Sequence, residues 1–232
     1  MATSKHNGLW TFHYYANRNS RKLFGLRFEA IELAVLGPRL TEYVKFVEVH
    51  GYSPHFRNPR SYNEKISHRK LFDRNPQFSL LADKWAVRAF VEQRVGSQYL
   101  NEVLFATSDA EQIPFDALPN QFVIRSAHGS GMNILVSDKR TIDLGVVKRK
   151  CKEFLESPYG GLKNERHYGR IPRRLLFDRF LGGEDGPLND YRFLVFHGRC
   201  EFIQLDQGGV PPKWRRFYTR QWEACEFATD AP

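Results

Sequence analysis

The sequence predicts an α+β fold with largely antiparallel sheets. Helical patterns come first, short β runs mixed with helices follow, and a hairpin lies near the end of the chain. The 232 residues include 19 Phe, 10 Tyr and 4 Trp, which is too aromatic for a disordered polymer and predicts a packed core. No internal repeat with a period of 20–50 residues is visible, so solenoid and propeller folds are excluded.

The N-terminal third is predicted to be helical. Residues 1–26 lack a clear period and are expected to form a flexible arm, and residues 27–80 are expected to form a helical region. Apolar residues at helical spacing predict a helix over 39–49, which Gly51 and Pro54 end. Ser61 and Glu64 form a capping-box pattern at the start of a helix that runs to about Phe72.

Residues 81–232 are predicted to hold the sheets. Asp83 can cap a helix that reaches Val95, with Gly96 as its stop. His197-Gly198 is a plausible hairpin turn. The predicted β runs are 100–106, 121–126, 132–137, 174–181, 191–196 and 200–205, with a helix over 141–156 and a loop over 207–213.

The charge and the cysteine content indicate which binding partners and which cellular compartment to expect. The net charge is +9, and residues 1–77 hold 13 basic against 6 acidic residues. This basic third is a solvated surface, a contact for anionic lipid, or a contact for a phosphorylated substrate. The absence of a nucleic-acid-binding signature argues against DNA or RNA. The three scattered cysteines and the lack of a membrane-spanning run predict a cytoplasmic protein, with attachment to the inner membrane face left open.

The segment 122–133 is the most informative for chemistry. A β run ends in Arg125, a loop with Gly129 and Gly131 follows, and a second β run begins at Asn133. A fixed cation beside a glycine loop, whose N–H groups can approach oxygens closely, is suited to phosphate. The loop lacks the Lys-Ser/Thr ending of a Walker A motif. The alternative is an ordinary glycine-containing hairpin with Arg125 on its surface.

Acidic and basic residues also interrupt later β runs. Asp178 lies in an apolar run, and Asp190 and Arg192 share one face of the next. These residues form either an ion pair within a sheet or a nucleotide or metal pocket at the strand ends. The segment 82–88 (Ala-Asp-Lys-Trp-Ala-Val-Arg) is, by itself, only a capped helix start.

Together, these segments resemble the TupA-like (teichuronopeptide-biosynthesis) ATP-grasp family over about residues 50–225. The resemblance lies in five segments in a fixed order: Pro59-Arg-Ser-Tyr-Asn-Glu-Lys-Ile66, Ala82-Asp-Lys-Trp-Ala-Val-Arg88, Phe122-Val-Ile-Arg-Ser-Ala-His-Gly-Ser-Gly-Met-Asn133, Leu176-Phe-Asp178 and Asp190-Tyr-Arg-Phe-Leu-Val-Phe-His-Gly198. It implies an ATP-grasp-like fold of two lobes with antiparallel sheets, preceded by the helical region. We expect this fold to be incomplete at its C-terminus.

The resemblance also implies a function, a reaction and a set of residues. ATP-grasp enzymes of this kind phosphorylate a small-molecule or saccharide carboxylate with ATP and Mg²⁺, and an amine then attacks the acyl phosphate. Arg125 and Arg192 correspond to the cations on the phosphates, where the family usually has Lys at the first position. The other expected nucleotide contacts are His128, Gly129, Ser130, Gly131, Asn133, Asp178 and Asp190, with Asp178 where the family usually has Glu.

The expected Mg²⁺ ligands are not evident in the sequence. The family binds Mg²⁺ through acidic residues after the hairpin, and Asp206 is the nearest candidate, although it is expected simply to end a strand. The metal ligands therefore stay unknown. A non-catalytic nucleotide-binding relative and a glycosyltransferase-like enzyme of polysaccharide synthesis are the alternatives to a ligase.

Overall fold

The computed structural model describes residues 26–160, 164–182, 188–207 and 214–229. The predicted arm and most of the predicted loop over 207–213 lie outside these residues. The chain divides into two compact units, Met1–Asp178 and Arg179–Pro232. The boundary predicted between residues 80 and 81 stays a prediction. No helix in the described part of the chain has both the length and the apolar character needed to cross a membrane.

The first unit begins with four helices, α1 (Leu26–His50), α2 (Tyr62–Phe72), α3 (Gln77–Ala82) and α4 (Ala86–Val95). Helix α1 kinks at Gly37, where φ is 70° and the next residue is Pro38, so the helix predicted over 39–49 is its second part. Helix α2 has the predicted capping box in full. Helix α3 was not expected, because it has only six residues and follows a proline.

The first unit also holds a four-stranded sheet in the order β1-β4-β2-β3. The strands are β1 (Val103–Thr107), β2 (Phe122–Ser126), β3 (Asn133–Val136) and β4 (Leu175–Arg179). The β1–β4 and β2–β3 pairs are antiparallel, as predicted. Helix α5 (Leu144–Glu156) packs Val147, Cys151 and Phe154 into the same core as Phe122 and Phe177. This core fixes β2 and β4, the two strands that carry Arg125 and Asp178.

The second unit is an antiparallel sheet in the order β5-β6-β7-β8. The predicted hairpin is confirmed: β5 (Asp190–Phe196) and β6 (Arg199–Gln207) are joined by His197 and Gly198, which have φ of 50° and 79°. Strands β7 (Trp214–Thr219) and β8 (Ala224–Thr229) were missed. The turn between them lacks a glycine or asparagine, and Trp222 instead adopts the left-handed φ of 65°.

Candidate functional site

The glycine loop is the connection between β2 and β3. Arg125 and Asn133 are register partners at the end of this hairpin, so the two predicted residues flank the loop. The Ser126 N–H donates to the carbonyl of Met132 over 2.9 Å and closes the base of the loop. Gly131 has a φ of 76°, which favours glycine, whereas a Cβ at Gly129 would displace the end of the flexible Met132 side chain. Ser130, Gly131 and Asn133 are exposed.

Arg125 and Asp178 meet on neighbouring strands. The Arg125 Nε atom lies 2.6 Å from Asp178 Oδ2. The Asp178 side chain is only 2% exposed, whereas that of Arg125 is 38% exposed. Asp178 Oδ1 is buried and has no hydrogen-bond partner among the described residues. A buried polar atom without a partner is costly, so this oxygen indicates a place where a donor from a ligand can bind.

Lys84 contacts the glycine loop, although analysis of the sequence did not select it as a site residue. Its Nζ donates to the carbonyl of Ser126 over 2.9 Å and also to the carbonyl of Gly129. Burial lowers the pKa of Lys84, the charge of Arg125 lowers it further, and Asp83 opposes the change. Lys84 therefore ties the loop to the start of α4. Lys84 lies in the segment 82–88, which by itself indicated only a capped helix start and which is one of the five segments of the family resemblance.

His128 lies on the loop but its ring points inward. The side chain is buried, its Nδ1 lies 2.8 Å from the Ser126 hydroxyl, and its Nε2 lies 3.0 Å from the carbonyl of Phe154. Because a carbonyl only accepts, Nε2 donates and Nδ1 accepts from the hydroxyl, which is the pattern of a neutral imidazole. Burial lowers the pKa of His128, in agreement with this pattern. The ring thus anchors the loop to the end of α5.

Asp190 and Arg192 belong to a charged network in the second unit. Asp190 is the register partner of Asp206, and Arg192 Nη2 lies 3.2 Å from Oδ2 of each carboxylate. Asp206 also accepts from Arg215 Nε over 2.6 Å and from Gln204 over 2.9 Å. The hydrogen bond from Arg215 is the main reason that the pKa of Asp206 is lowered. The ion pair within a sheet, one of the two readings left open, is therefore present.

The predicted residues fall into two sets. Arg125, Asp178 and the loop lie together in the first unit, whereas Asp190 and Arg192 lie together in the second. The convergence of Arg125 and Arg192 on one triphosphate stays a prediction.

The described residues contain no cluster of three His, Cys, Asp or Glu side chains that could hold a metal ion. Asp206, the nearest candidate for a ligand, has both oxygens engaged by arginine. The described residues therefore do not fit a Mg²⁺ site.

The fold and the loop together define an α+β protein with antiparallel sheets and an anion-suited glycine loop. Comparison with known proteins identifies the family. The family described as TupA-like ATPgrasp matches residues 64–232, so the chain belongs to this family and is an ATP-grasp-type, nucleotide-binding protein. Proteins of this fold generally use ATP and Mg²⁺. Searches of curated proteins and of solved structures gave no match.

Proposed function

We propose that this protein is an ATP-dependent carboxylate–amine ligase of bacterial cell-surface polysaccharide or teichuronopeptide biosynthesis. A carboxylate oxygen of the acidic substrate attacks the γ-phosphorus of ATP, the bond to the bridging oxygen breaks, and ADP leaves. The amine nitrogen of the second substrate then attacks the acyl carbon. An amide forms, inorganic phosphate leaves, and the nitrogen loses its proton to phosphate or solvent.

The observation that supports this proposal most is the pairing of Arg125 with the buried Asp178 beside the glycine loop. Asp178 accepts from Nε of the guanidinium, and the Arg125 side chain is 38% exposed, so its Nη atoms can donate to a ligand. Positioned cations and backbone N–H groups stabilise the charge that develops during phosphoryl transfer. In this proposal Arg125 and the N–H groups of residues 129–131 bind the phosphates, and Asp178 Oδ1 accepts a hydrogen bond from the nucleotide.

Lys84 and His128 are positioning residues in this proposal. Lys84 binds two carbonyls of the loop, and His128 binds the interior end of α5. Both contacts hold the backbone of the loop while its exposed residues remain available to a ligand. A loop fixed in advance loses less conformational entropy when it binds phosphate.

A non-catalytic nucleotide-binding protein of the same family is the second candidate. The observation that favours it is the neutralisation of Asp206 by Arg192 and Arg215, since a carboxylate held by two guanidinium groups is a poor ligand for a divalent cation. Such a protein binds ATP with little dependence on Mg²⁺ and does not hydrolyse it.

The test is ADP release from Mg-ATP in the presence of a uronic acid and an amino acid. We expect release that requires both substrates and that falls about 100-fold in Arg125→Met, a loss typical for one stabilising donor. Arg125→Lys, which restores the cation, is expected to recover part of it. Arg140→Met removes an arginine that is 78% exposed and serves as the matched control.

The outcomes separate the two candidates. ATP binding by calorimetry without ADP release for any pair of substrates contradicts the ligase and supports the non-catalytic protein. If ATP does not bind at all, both candidates are wrong.

A further inference from the structure

A second candidate site lies in the first unit, in a cavity of about 460 Å³ formed by α2, α3 and residues 164–170. Cavities that bind small molecules have volumes of about 300–1,000 Å³. The proposed roles of Arg125, Asp178 and the glycine loop do not involve this cavity. One end of it is Ala82, two residues before Lys84, so the cavity and the loop share a short connecting segment.

The wall of the cavity is held by a buried carboxylate. Glu42 of α1 accepts from Ser67 of α2 over 2.8 Å and from Asn164 over 3.2 Å. The Asn164 amide also donates to the carbonyl of Pro38 over 3.0 Å, and the Ser79 hydroxyl donates to the carbonyl of His167 over 2.9 Å. Helices α1 and α3 therefore hold the segment 164–170 directly, and α2 is joined to them through Glu42.

The lining of the cavity is strongly cationic. It contains five basic side chains, Arg69, Lys70, Arg74, Arg166 and Arg170, against the two carboxylates of Asp73 and Glu165. Lys70 is paired with Glu42, and the guanidinium group of Arg74 donates to carbonyl oxygens. In the described ranges no carboxylate is recorded within ion-pair distance of Arg69, Arg166 or Arg170. An excess of positive charge on the lining that carboxylates do not match favours an anionic occupant.

The rest of the lining is apolar. Ile66, Phe78 and Leu81 contribute to it, and the Arg69 guanidinium carbon lies 3.8 Å from the centre of the Phe78 ring. Burial lowers the pKa of His167, which keeps this lining imidazole neutral near pH 7. A bare phosphate ion would leave most of this volume unfilled. A ligand with a ring face and an acidic group matches both parts of the lining.

We propose that this cavity binds a saccharide-sized anion through a carboxylate or phosphate group. The acidic group lies on Arg69, Arg166 and Arg170, which have no carboxylate partner among the described residues, and the ring lies against the Ile66–Phe78 side. The guanidinium fork suits both acids, so the chemistry of recognition is shared. The inference goes beyond the proposed ligase function and does not depend on ATP binding.

The experiment measures binding of three probes to the full chain by calorimetry at low salt without nucleotide. The probes are digalacturonate for the carboxylate, glucose 1-phosphate for the phosphate, and maltose as the neutral sugar. We expect at least one acidic probe to bind at least 10-fold more tightly than maltose and to weaken as salt rises. The tighter acidic probe identifies the acidic group that the cavity prefers.

Two double variants locate the binding. Arg69→Gln with Arg170→Gln removes two lining charges, and Arg57→Gln with Arg60→Gln removes two exposed arginines of the same unit that do not line the cavity. We expect the first pair to weaken the acidic probe at least 10-fold and the second to change it less than 3-fold. If the first pair unfolds the protein, Arg166→Gln replaces it.

Two results would overturn the proposal. One is an acidic probe that binds no more tightly than maltose. The other is a control pair that weakens the probe as much as the cavity pair does, because binding would then reflect net charge alone.

Discussion

At the scale of single residues, the ion pair between Arg125 and Asp178 is the main feature of the candidate nucleotide site. The Asp178 carboxylate is nearly fully buried, and its Oδ2 accepts from Arg125 Nε. Its companion oxygen, Oδ1, has no partner in the part of the chain that the structure describes. The stability of this buried, charged carboxylate therefore depends on Arg125, since removing one member of a buried pair leaves an uncompensated charge.

This dependence predicts a stability effect that is separate from activity. Arg125→Met is expected to lower the free energy of unfolding by about 2 kcal/mol, less than for a fully buried pair because Arg125 is partly exposed. The double variant with Asp178→Leu removes the stranded charge and is expected to be more stable than Arg125→Met alone. Urea unfolding of both variants measures this difference. A double variant that is less stable than either single variant contradicts the account.

The residues of this site also show which site residues can be predicted from the sequence and which cannot. Arg125, Asp178 and the glycine loop were selected because cations, acids and glycines stand out within β runs. Lys84 was not selected, because a lysine after an aspartate at a helix start is usually solvated. Its role depends on the carbonyls of Ser126 and Gly129, which are more than 40 residues away along the chain.

At the scale of elements, the first turn of α2 is the clearest case of sequence dictating structure. The Glu64 carboxylate accepts from the N–H groups of His55, Arg60 and Ser61 over 2.7–2.9 Å, and the Ser61 hydroxyl accepts from the N–H of Glu64. These contacts satisfy helix and loop donors that would otherwise have no partner. The capping pattern alone therefore predicted where this helix begins.

These hydrogen bonds predict a pH dependence of stability. They lower the pKa of Glu64 from 4.5 to about 2, His55 contributing most. Because the pKa is lower in the folded state, the ionised carboxylate stabilises the fold above about pH 4.5, and this stabilisation is lost as the pH falls toward 2. Glu64→Gln should thus lower the free energy of unfolding most near pH 7 and progressively less below pH 4.5. Unfolding at several pH values tests this, and a cost that is equal at pH 7 and pH 3 contradicts it.

Elements without such local signals were not predictable. Helix α3 is too short for a period, and the β7–β8 turn depends on Trp222 in a backbone region where tryptophan is rare. By contrast, β2, β3 and α5 have alternating or helical apolar patterns that agree with their burial in one core. Agreement between pattern and burial is what made these elements predictable.

For the whole molecule, the order of helical and β patterns predicted the α+β class, and the order of five segments predicted the family. Neither pattern predicted the cationic cavity. The wall of the cavity includes a hydrogen bond between Asn164 and Glu42, which are 122 residues apart in the chain, and no local sequence pattern predicts such a contact. The division at Asp178 also could not be predicted, because this residue lies inside an apolar strand. Long-range contacts therefore determine what the sequence leaves open, namely the cationic cavity and the extent of each unit.

The most direct test of the account is a crystal structure of the full chain with a non-hydrolysable ATP analogue. The account predicts phosphate oxygens within hydrogen-bond distance of the Arg125 guanidinium and of the N–H groups of residues 129–131. It also predicts a nucleotide donor on Asp178 Oδ1. An analogue that binds elsewhere, with its phosphates away from Arg125 and the glycine loop, would contradict it.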